Sequence, residues 1–321
     1  MEQPNLTKVP QPVDADEFLA PGHRACIGCG EVLALRMVCK ALGKDVIIAN
    51  ATGCMEIVSS PFPNTSWRVP WIHTLFENTA AVAAGIDSAV RILEKKGKIA
   101  AGQITVVGMG GDGGTSDIGF QALSGAMERG HNFIYVCFDN EAYMNTGIQR
   151  SSATPFGAMT TTSPPGKMSI GQKTKKKNMP EIAVAHNIPY VATANPSYPK
   201  DLANKLQKAK SIAGAKYVHV YSACPTGWRC ATDLSIELGR LATETGIFPL
   251  YEVENGTYRL TKKISRMKPV SDYLKLQGRF RHLTDDVREQ IQKQVDHDYQ
   301  ELMKKAGVQT TQDQQSGPAK L

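Results

Sequence analysis

Two oxygen-bearing residues set the first chemical question of this sequence. The run GDGGTSDIGFQ (111–121) seats Asp112 in a glycine-rich turn, and Asn140 follows the apolar run FIYVCFD (133–139). Carboxylate, amide and carbonyl oxygens brought together suit a hard cation such as Mg2+, which fills its remaining positions with phosphate oxygens and water. Gly111, Gly113 and Gly114 let backbone amides approach a phosphate closely. A helix starting near Ser116, capped by Ser116 or Asp117, would turn its positive end toward the same anion. Together the parts fit a magnesium-bound diphosphate. The competing reading makes GDGG a tight turn and Asn140 a cap or turn residue. It suffices for GDG alone, but not for GDG, helix, apolar strand, Asn and NTG in that order.

The thiols pose the second question. Cys26 and Cys29 form a CIGC pair, Cys54 lies in ATGCMEI (51–57), and Cys224 lies in YSACP (221–225). Four thiolates from these three segments would close one tetrahedral sulfur site, for an iron–sulfur cluster or for structural zinc. Cys39 sits inside a helical pattern and Cys137 inside an apolar strand, so both read as small core residues. Cys230 is left without a role.

The elements that position these residues alternate. EVLALRMVCKAL (31–42) has helical periodicity with Gly43 as its stop, and DVIIAN (45–50) reads as a buried strand. Residues 51–71, rich in Gly, Pro, Ser and Thr, read as a long loop, and 78–97 as an alanine-rich helix. Strand 103–110, helix 116–130 and strand 133–139 follow, then a second long loop over 140–180. A short helix in EIAVAHNIP, strand 190–195, helix 199–212 and strand 216–223 complete the pattern. Alternation of this kind predicts an α/β fold, a doubly wound, mostly parallel sheet. Ligands of such sheets bind beyond the carboxyl ends of the strands, where Asp112, Asn140, Cys54 and Cys224 all fall.

Composition narrows the function class. Hydrophobic residues make up 41% and charged residues 21%, as in a folded domain, and no apolar run is long enough for a membrane span. Nothing at the amino terminus resembles a signal peptide, so the expectation is a cytoplasmic protein with no membrane and no nucleic-acid partner. Much of the net charge of +7 comes from Lys173, Lys175, Lys176 and Lys177, read as a solvated loop or a docking patch for an acidic partner. The expected organisation is an arm over 1–22, an α/β domain over 23–231, and an extension over 232–321 of short helices and extended pieces ending in a frayed GPAKL tail.

GDG followed by Asn at the end of the next strand resembles the thiamine-diphosphate motif, and with it the diphosphate-binding (PP-type) domain. That resemblance implies Mg2+ held by Asp112, Asn140 and the carbonyl of Ala142. ACIGCGE, NATGC, HTLFENTAA, GDGGTSDIGFQ, DNEAYMNTGIQRS and YSACPTGW, over about residues 22–228, are together similar to the beta subunit of 2-oxoacid:ferredoxin oxidoreductases, most of all those acting on pyruvate. The resemblance implies a 4Fe–4S cluster on Cys26, Cys29, Cys54 and Cys224, with Thr52, Gly53 and Cys54 forming a loop near the cofactor. It implies oxidative decarboxylation of pyruvate to acetyl-CoA and CO2, with electrons leaving singly for ferredoxin, in anaerobic metabolism. Asn145 is the candidate for contacting substrate or the reactive side of the cofactor, and His73 and Glu77 for facing a partner. Glu31 reads as an ordinary first-turn helix carboxylate, and His23 as a lone histidine. Because too little chain precedes the GDG strand for a second domain, the glutamate that activates the aminopyrimidine should come from another subunit. Alpha, gamma and delta-type partners are therefore expected, besides coenzyme A and ferredoxin. Oxalate, a branched 2-oxoacid or 2-oxoglutarate are alternative substrates. A non-redox thiamine-dependent decarboxylase or synthase half with structural zinc, or a binding-only subunit, are alternative functions.

Overall fold

The structure is a computed structural model that describes residues 16–61 and 63–308. Most of the expected arm and the GPAKL tail lie outside the described residues. The first half runs α1 (Gly30–Leu42), β1 (Val46–Ala51), α2 (Cys54–Ser59), β2 (Trp71–Thr74), α3 (Thr79–Lys95), β3 (Thr105–Gly111), α4 (Phe120–Glu128) and β4 (Phe133–Asp139). A two-residue hairpin of β5 (Pro165–Gly166) and β6 (Ser169–Ile170) precedes α5 (Met179–Ala185), β7 (Tyr190–Ala194), α6 (Pro199–Ser211) and β8 (Lys216–Tyr221). Then come α7 (Pro225–Trp228), α8 (Ser235–Glu244), β9 (Tyr251–Glu254), β10 (Thr257–Leu260), α9 (Val270–Leu274) and α10 (Asp285–Lys305).

Eight strands form one sheet in the order β10-β9-β7-β8-β4-β3-β1-β2. Strands β1, β2, β3, β4, β7 and β8 are parallel to one another, while β9 pairs antiparallel with β7 and β10 antiparallel with β9. Helices cover both faces, which is why β4, β7 and β8 are buried throughout and read as continuous apolar runs. On one face, Leu35 and Val38 of α1 and Leu202 and Leu206 of α6 pack on Ile48, Val107, Val136 and Val218. On the other, Ala83 of α3, Leu123 of α4 and Leu302 of α10 pack on Val106, Tyr135 and Tyr217. The doubly wound, mostly parallel sheet is thus as the alternating pattern predicts.

Three segments depart from the expectation. Residues 51–71 are not loop throughout, because α2 starts at Cys54 and Trp71 opens the edge strand β2, parallel to β1. A four-residue, half-exposed edge strand offers no apolar alternation to detect. Ser116 and Asp117 cap nothing: they lie inside a π-helical turn, Gly114–Ile118, that precedes α4. Beyond Thr232 the chain adds two strands to the same sheet and a 21-residue helix, α10, where short pieces were expected. That helix buries only Tyr299 and Leu302, too narrow a stripe to register as periodicity.

Parallel register aligns the strand ends. Ala51 pairs with Thr74, Gly111 with Phe138 and Asp139 with Tyr221, so the segments starting at Thr52, Asp112, Asn140 and Ser222 leave the sheet at one edge.

The junction with the antiparallel strands is tied by Glu252, a buried residue of β9 that accepts hydrogen bonds from Tyr190 (2.8 Å), Lys208 (2.8 Å) and Arg259 (3.0 Å). Burial alone would raise its carboxyl, but these donors hold it down at about 2, below its ordinary 4.5. A group depressed in this way stabilises the fold above pH ~4.5 and loses that contribution as pH falls toward 2. Glu252→Gln is therefore expected to destabilise the protein at neutral pH by about 1–3 kcal/mol and to flatten the acid limb between those pH values. Urea midpoints measured from pH 7 downward check it, and an acid limb as steep as wild type would refute it.

Candidate functional site

Asp112 follows β3 directly and is buried, as is Asn140 after β4. Asp112 spends one carboxylate oxygen, Oδ2, on the hydroxyl of Ser151, which donates to it. Asn140 spends its amide N–H on Glu31, donating from Nδ2 to Oε2 at 2.7 Å. What remains is one bare oxygen on each: Oδ1 of Asp112 and Oδ1 of Asn140 are buried without any hydrogen-bond partner. The carbonyl of Ala142 likewise accepts no hydrogen bond among the described residues. Buried polar atoms are almost always paired, so leftover oxygens around a recess call for a group that is not protein. A carboxylate, an amide and a carbonyl oxygen form a hard donor set of the kind Mg2+ takes, and the residues present fit that ion.

Electrostatics points the same way. Burial, and next the neighbouring Asp139 charge, push the Asp112 carboxyl well above the usual carboxylate range. Burial pushes Glu31 up to about 7, against the hydrogen bond from Asn140. Asp139 goes the other way despite burial, held down by the Lys176 ammonium and by His219, whose Nε2 lies 2.8 Å from its Oδ2. The recess itself is lined by Glu31, Thr52, Gly53, Cys54, Phe76, Gly111, Asp112, Gly113, Gly114, Asn140, Ala142, Tyr143, Met144, Asn145 and Thr146. Gly113 is required by closeness: a Cβ there would sit 2.4 Å from the Tyr143 ring, whose hydroxyl donates to the Gly113 carbonyl at 3.0 Å.

The four thiols flank this recess. Cys29 caps α1, its Sγ accepting from the Val32 N–H at 3.5 Å, and Cys224 caps α7, its Sγ accepting from the Gly227 N–H at 3.3 Å. The Gly30 N–H donates to the Ala223 carbonyl at 2.9 Å and joins the two segments. After burial, the Glu31 carboxylate is the largest charge acting on Cys54, followed by the thiols Cys224, Cys29 and Cys26, and Cys224 likewise has Glu31 and then Cys26 as neighbours. Burial pushes Cys29 up to about 12 and Cys224 to about 11, and raises Cys54 further still. Among the described residues no trio of His, Cys, Asp or Glu side chains is drawn tightly enough to hold a metal ion as it stands. Two of the thiols are instead turned onto helix-end amides. N–H···S bonds and an all-sulfur donor set, drawn from the segment that enters α1 and the loops after β1 and β8, fit an iron–sulfur cluster.

Every residue expected at the cofactor, including Thr52, Gly53 and Asn145, lines this one recess. Thr52 Oγ1 also meets His73 Nε2 at 2.7 Å, and Asn145 is exposed at the mouth, its side chain making no hydrogen bond among the described residues. His73 and Glu77 are exposed nearby, while His23 is not part of the lining. Cys39 and Cys137 are core residues, as expected. Sequence reasoning passed over three groups. Glu31 is in the first turn of α1, as expected, but it is also a buried wall of the recess. Tyr143 packs against Gly113. The lysine cluster is not solvated throughout: Lys173 and Lys175 are exposed, but Lys176 pairs with the buried Asp139 and Glu141, and Lys177 with Asp117. Only the order C-G-E in CIGCGE placed Glu31 near the site.

Comparison with known proteins adds independent findings. Residues 51–220 match the family described as thiamine pyrophosphate enzyme, C-terminal TPP binding domain. The chain is 59% identical to pyruvate synthase subunit PorB of Methanocaldococcus jannaschii, covering 88% of this chain and 95% of that one. It is 46% identical to ketoisovalerate oxidoreductase subunit VorB of Pyrococcus furiosus, covering 96% and 99%. Among solved structures, the 2-oxoglutarate:ferredoxin oxidoreductase from Magnetococcus marinus shares the fold, with a TM-score of 0.54 at 23% identity over 74% of this chain and 82% of that one. No helix among the described residues is long and apolar enough to cross a membrane.

Gly113→Ala is expected to cost about 1–3 kcal/mol by forcing Tyr143 aside. Gly166→Ala, with nothing within 4 Å of the added carbon, should stay within about 0.5 kcal/mol of wild type. Urea unfolding of the two variants checks the contrast, and equal midpoints would refute the tight Gly113–Tyr143 contact.

Proposed function

The chain belongs to the PorB family of pyruvate synthase subunits, the beta subunits of thiamine-pyrophosphate-dependent 2-oxoacid:ferredoxin oxidoreductases, and on that premise we propose which of its residues hold which group. Asp112 Oδ1, Asn140 Oδ1 and the Ala142 carbonyl hold Mg2+, and the diphosphate lies on the Gly111–Gly114 turn. Cys26, Cys29, Cys54 and Cys224 hold a 4Fe–4S cluster. The observation that carries the reading is the pair of buried oxygens without partners, on Asp112 and Asn140, at the same sheet edge as the four thiols.

When bound, thiamine diphosphate supplies the carbanion-stabilising centre on which a 2-oxoacid loses CO2, and the cluster supplies a one-electron exit. The chain's own residues position and shield. Glu31 Oε2 accepts the Asn140 N–H and so turns Oδ1 of that amide toward the metal position. Ser151 donates to Asp112 Oδ2 and leaves Oδ1 for the cation. Thr52, bonded to the Thr74 carbonyl at 3.1 Å and to His73, fixes the start of the loop that carries Cys54. Phe76 and Tyr143, edge to face at 6.1 Å, wall the recess against water. Asn145 offers its free amide to the substrate at the mouth. The Val32 and Gly227 amides hold partial positive charge against the sulfurs of Cys29 and Cys224.

The substrate is pyruvate, since relatives named for pyruvate reach 59% identity and those named for ketoisovalerate 46%. Pyruvate and coenzyme A give acetyl-CoA, CO2, a proton and two electrons, and the electrons pass singly to ferredoxin. Alpha, gamma and delta-type subunits complete the assembly. One of them brings the glutamate facing the aminopyrimidine, and His73 and Glu77 lie on the side it approaches.

The test uses the assembly purified anaerobically. Asp112→Ala should weaken Mg2+-dependent retention of thiamine diphosphate by at least about 100-fold, and unchanged retention overturns the metal assignment. Cys54→Ser should lower iron and sulfide content and the visible absorbance that bleaches on reduction. A colourless wild type that binds zinc on these cysteines overturns the redox reading.

A further inference from the structure

Glu141 stands between two of the three proposed metal ligands, and its backbone is unusual. Its φ is +70°, in the left-handed region that glycine and asparagine visit readily and glutamate does not. Nothing about the turn demands a long acidic side chain, so the side chain itself needs a reason. Glu141 is buried, and its two oxygens are divided between two cations from distant parts of the chain. Oε1 accepts from Lys176 Nζ at 2.7 Å, and Oε2 accepts from Arg279 Nη2. Arg279 is itself buried, stacked 4.1 Å from the centre of the Trp228 ring, with its Nε donating to Gln277 at 2.9 Å. The Trp228 indole N–H donates in turn to the Asn140 carbonyl at 2.8 Å.

The backbone of the same loop is tied residue by residue. The Glu141 N–H donates to Asp139 Oδ1 at 3.1 Å, and its carbonyl accepts from Thr154 Oγ1 at 2.7 Å. The polar groups of the Glu141 side chain and backbone, and the Asn140 carbonyl and amide Nδ2, are therefore engaged, while Asn140 Oδ1 is not. With the Ala142 carbonyl, that leaves free the two oxygens that the loop would turn to the metal. Arg279 comes from the short 3-10 turn Gly278–Phe280, in the C-terminal segment, and Lys176 from the lysine-rich loop before α5.

We propose that Glu141 is a positioning residue, clamped between Lys176 and Arg279, that holds the 139–142 loop in its left-handed turn and so presents the Asn140 and Ala142 oxygens to the metal. The inference deepens the assignment of Mg2+ and thiamine diphosphate to this loop and rests on it. It gives the C-terminal segment a task at the site: Arg279 reaches the loop from 138 residues away and fixes metal retention without touching the metal. A solely structural ion pair would lower stability and leave metal affinity at saturation of folding untouched.

The experiment measures thiamine diphosphate retained at graded Mg2+ by equilibrium dialysis of the intact assembly, in wild type, Glu141→Gln, Arg279→Lys and Lys176→Met. Arg279→Lys keeps the charge and removes the fork, so it is the variant least prone to misfolding. Each variant is expected to need about 10–100-fold more Mg2+ for half retention. At saturating Mg2+ and thiamine diphosphate the KM for pyruvate should stay within about threefold of wild type. Because the three groups act as one clamp, Glu141→Gln with Arg279→Lys should cost no more than the worse single change. Asp112→Ala, run alongside, separates the two layers of the argument. If Asp112→Ala abolishes retention while folded Glu141→Gln and Arg279→Lys keep wild-type Mg2+ dependence, the clamp is overturned and the metal site stands. If Asp112→Ala itself retains the cofactor as wild type does, the metal site falls and the clamp with it.

Discussion

An excess of buried negative charge at the carboxyl ends of β3 and β4 governs this site. Glu31, Asp112, Asp139 and Glu141 are all buried there, within a few residues of the sheet edge or of the helix end that faces it. An ionised carboxylate taken out of water is costly unless it is paired and hydrogen-bonded. Asp139 and Glu141 meet Lys176, Arg279 and His219. Among the described residues, Glu31 and Asp112 are hydrogen-bonded only by neutral groups, the Asn140 amide and the Ser151 hydroxyl. Burial, and for Asp112 next the Asp139 charge, pushes both carboxyls up. A divalent cation placed against the bare oxygens of Asp112 and Asn140 would supply the compensation, and among the described residues no cationic side chain reaches those atoms.

Why the charge can be held there follows from the sheet. Six parallel strands in register end at one edge, and their middles are locked by apolar contacts on both faces. Ligand geometry tolerates displacements of only about half an ångström, which loops cannot maintain unless they spring from rigid elements. Here each short loop is anchored twice, by its strand and by a bond at its tip. The Thr52 N–H donates to the Thr74 carbonyl, Tyr143 exchanges backbone bonds with Gln149, and the Ser222 N–H donates to the Asp139 carbonyl. The strand pairing brings the loops together, and the tip bonds fix where their side chains point.

What was legible in the sequence was what chain-local chemistry encodes. GDGG, the apolar strand and Asn140 pointed to the proposed metal loop because a helix and a strand of ordinary length must separate its parts, and the cysteines of the proposed cluster stood out by type. The alternation of strands and helices was visible because both faces of a parallel sheet are apolar. The partners that decide charge were not visible, since none is local. Glu31 meets Asn140 across 109 positions, Lys176 meets Glu141 across 35 and Arg279 meets Glu141 across 138. A lysine in the run KTKKKN looks solvated until the fold shows which carboxylate it faces. The π-helical turn was hidden for another reason: inside a glycine-rich segment one extra residue per turn leaves no mark on an apolar pattern. Strands β9 and β10 were hidden because a short antiparallel pair at the far end of the sheet needs little hydrophobic patterning.

One helix end ties the two proposed cofactor positions together. Cys29 caps α1, and Glu31, two residues later in its first turn, passes to the other side and holds Asn140. The N-terminus of α1 thus carries a proposed cluster ligand and the residue that orients a proposed metal ligand, so one cannot move without the other. The carbonyl of Ala223, next to Cys224, accepts the Gly30 N–H and binds a third loop to the same helix end. Gly28 has no room for a side chain, because a Cβ there would lie 1.9 Å from the Thr232 carbonyl oxygen, so the CIGC turn is pressed against the start of the C-terminal segment. Electron transfer between two centres depends steeply on their separation, and a shared rigid helix end keeps that separation constant whatever the surrounding loops do. The same economy accounts for a buried glutamate in a first turn, where a solvated one would have served the helix equally well.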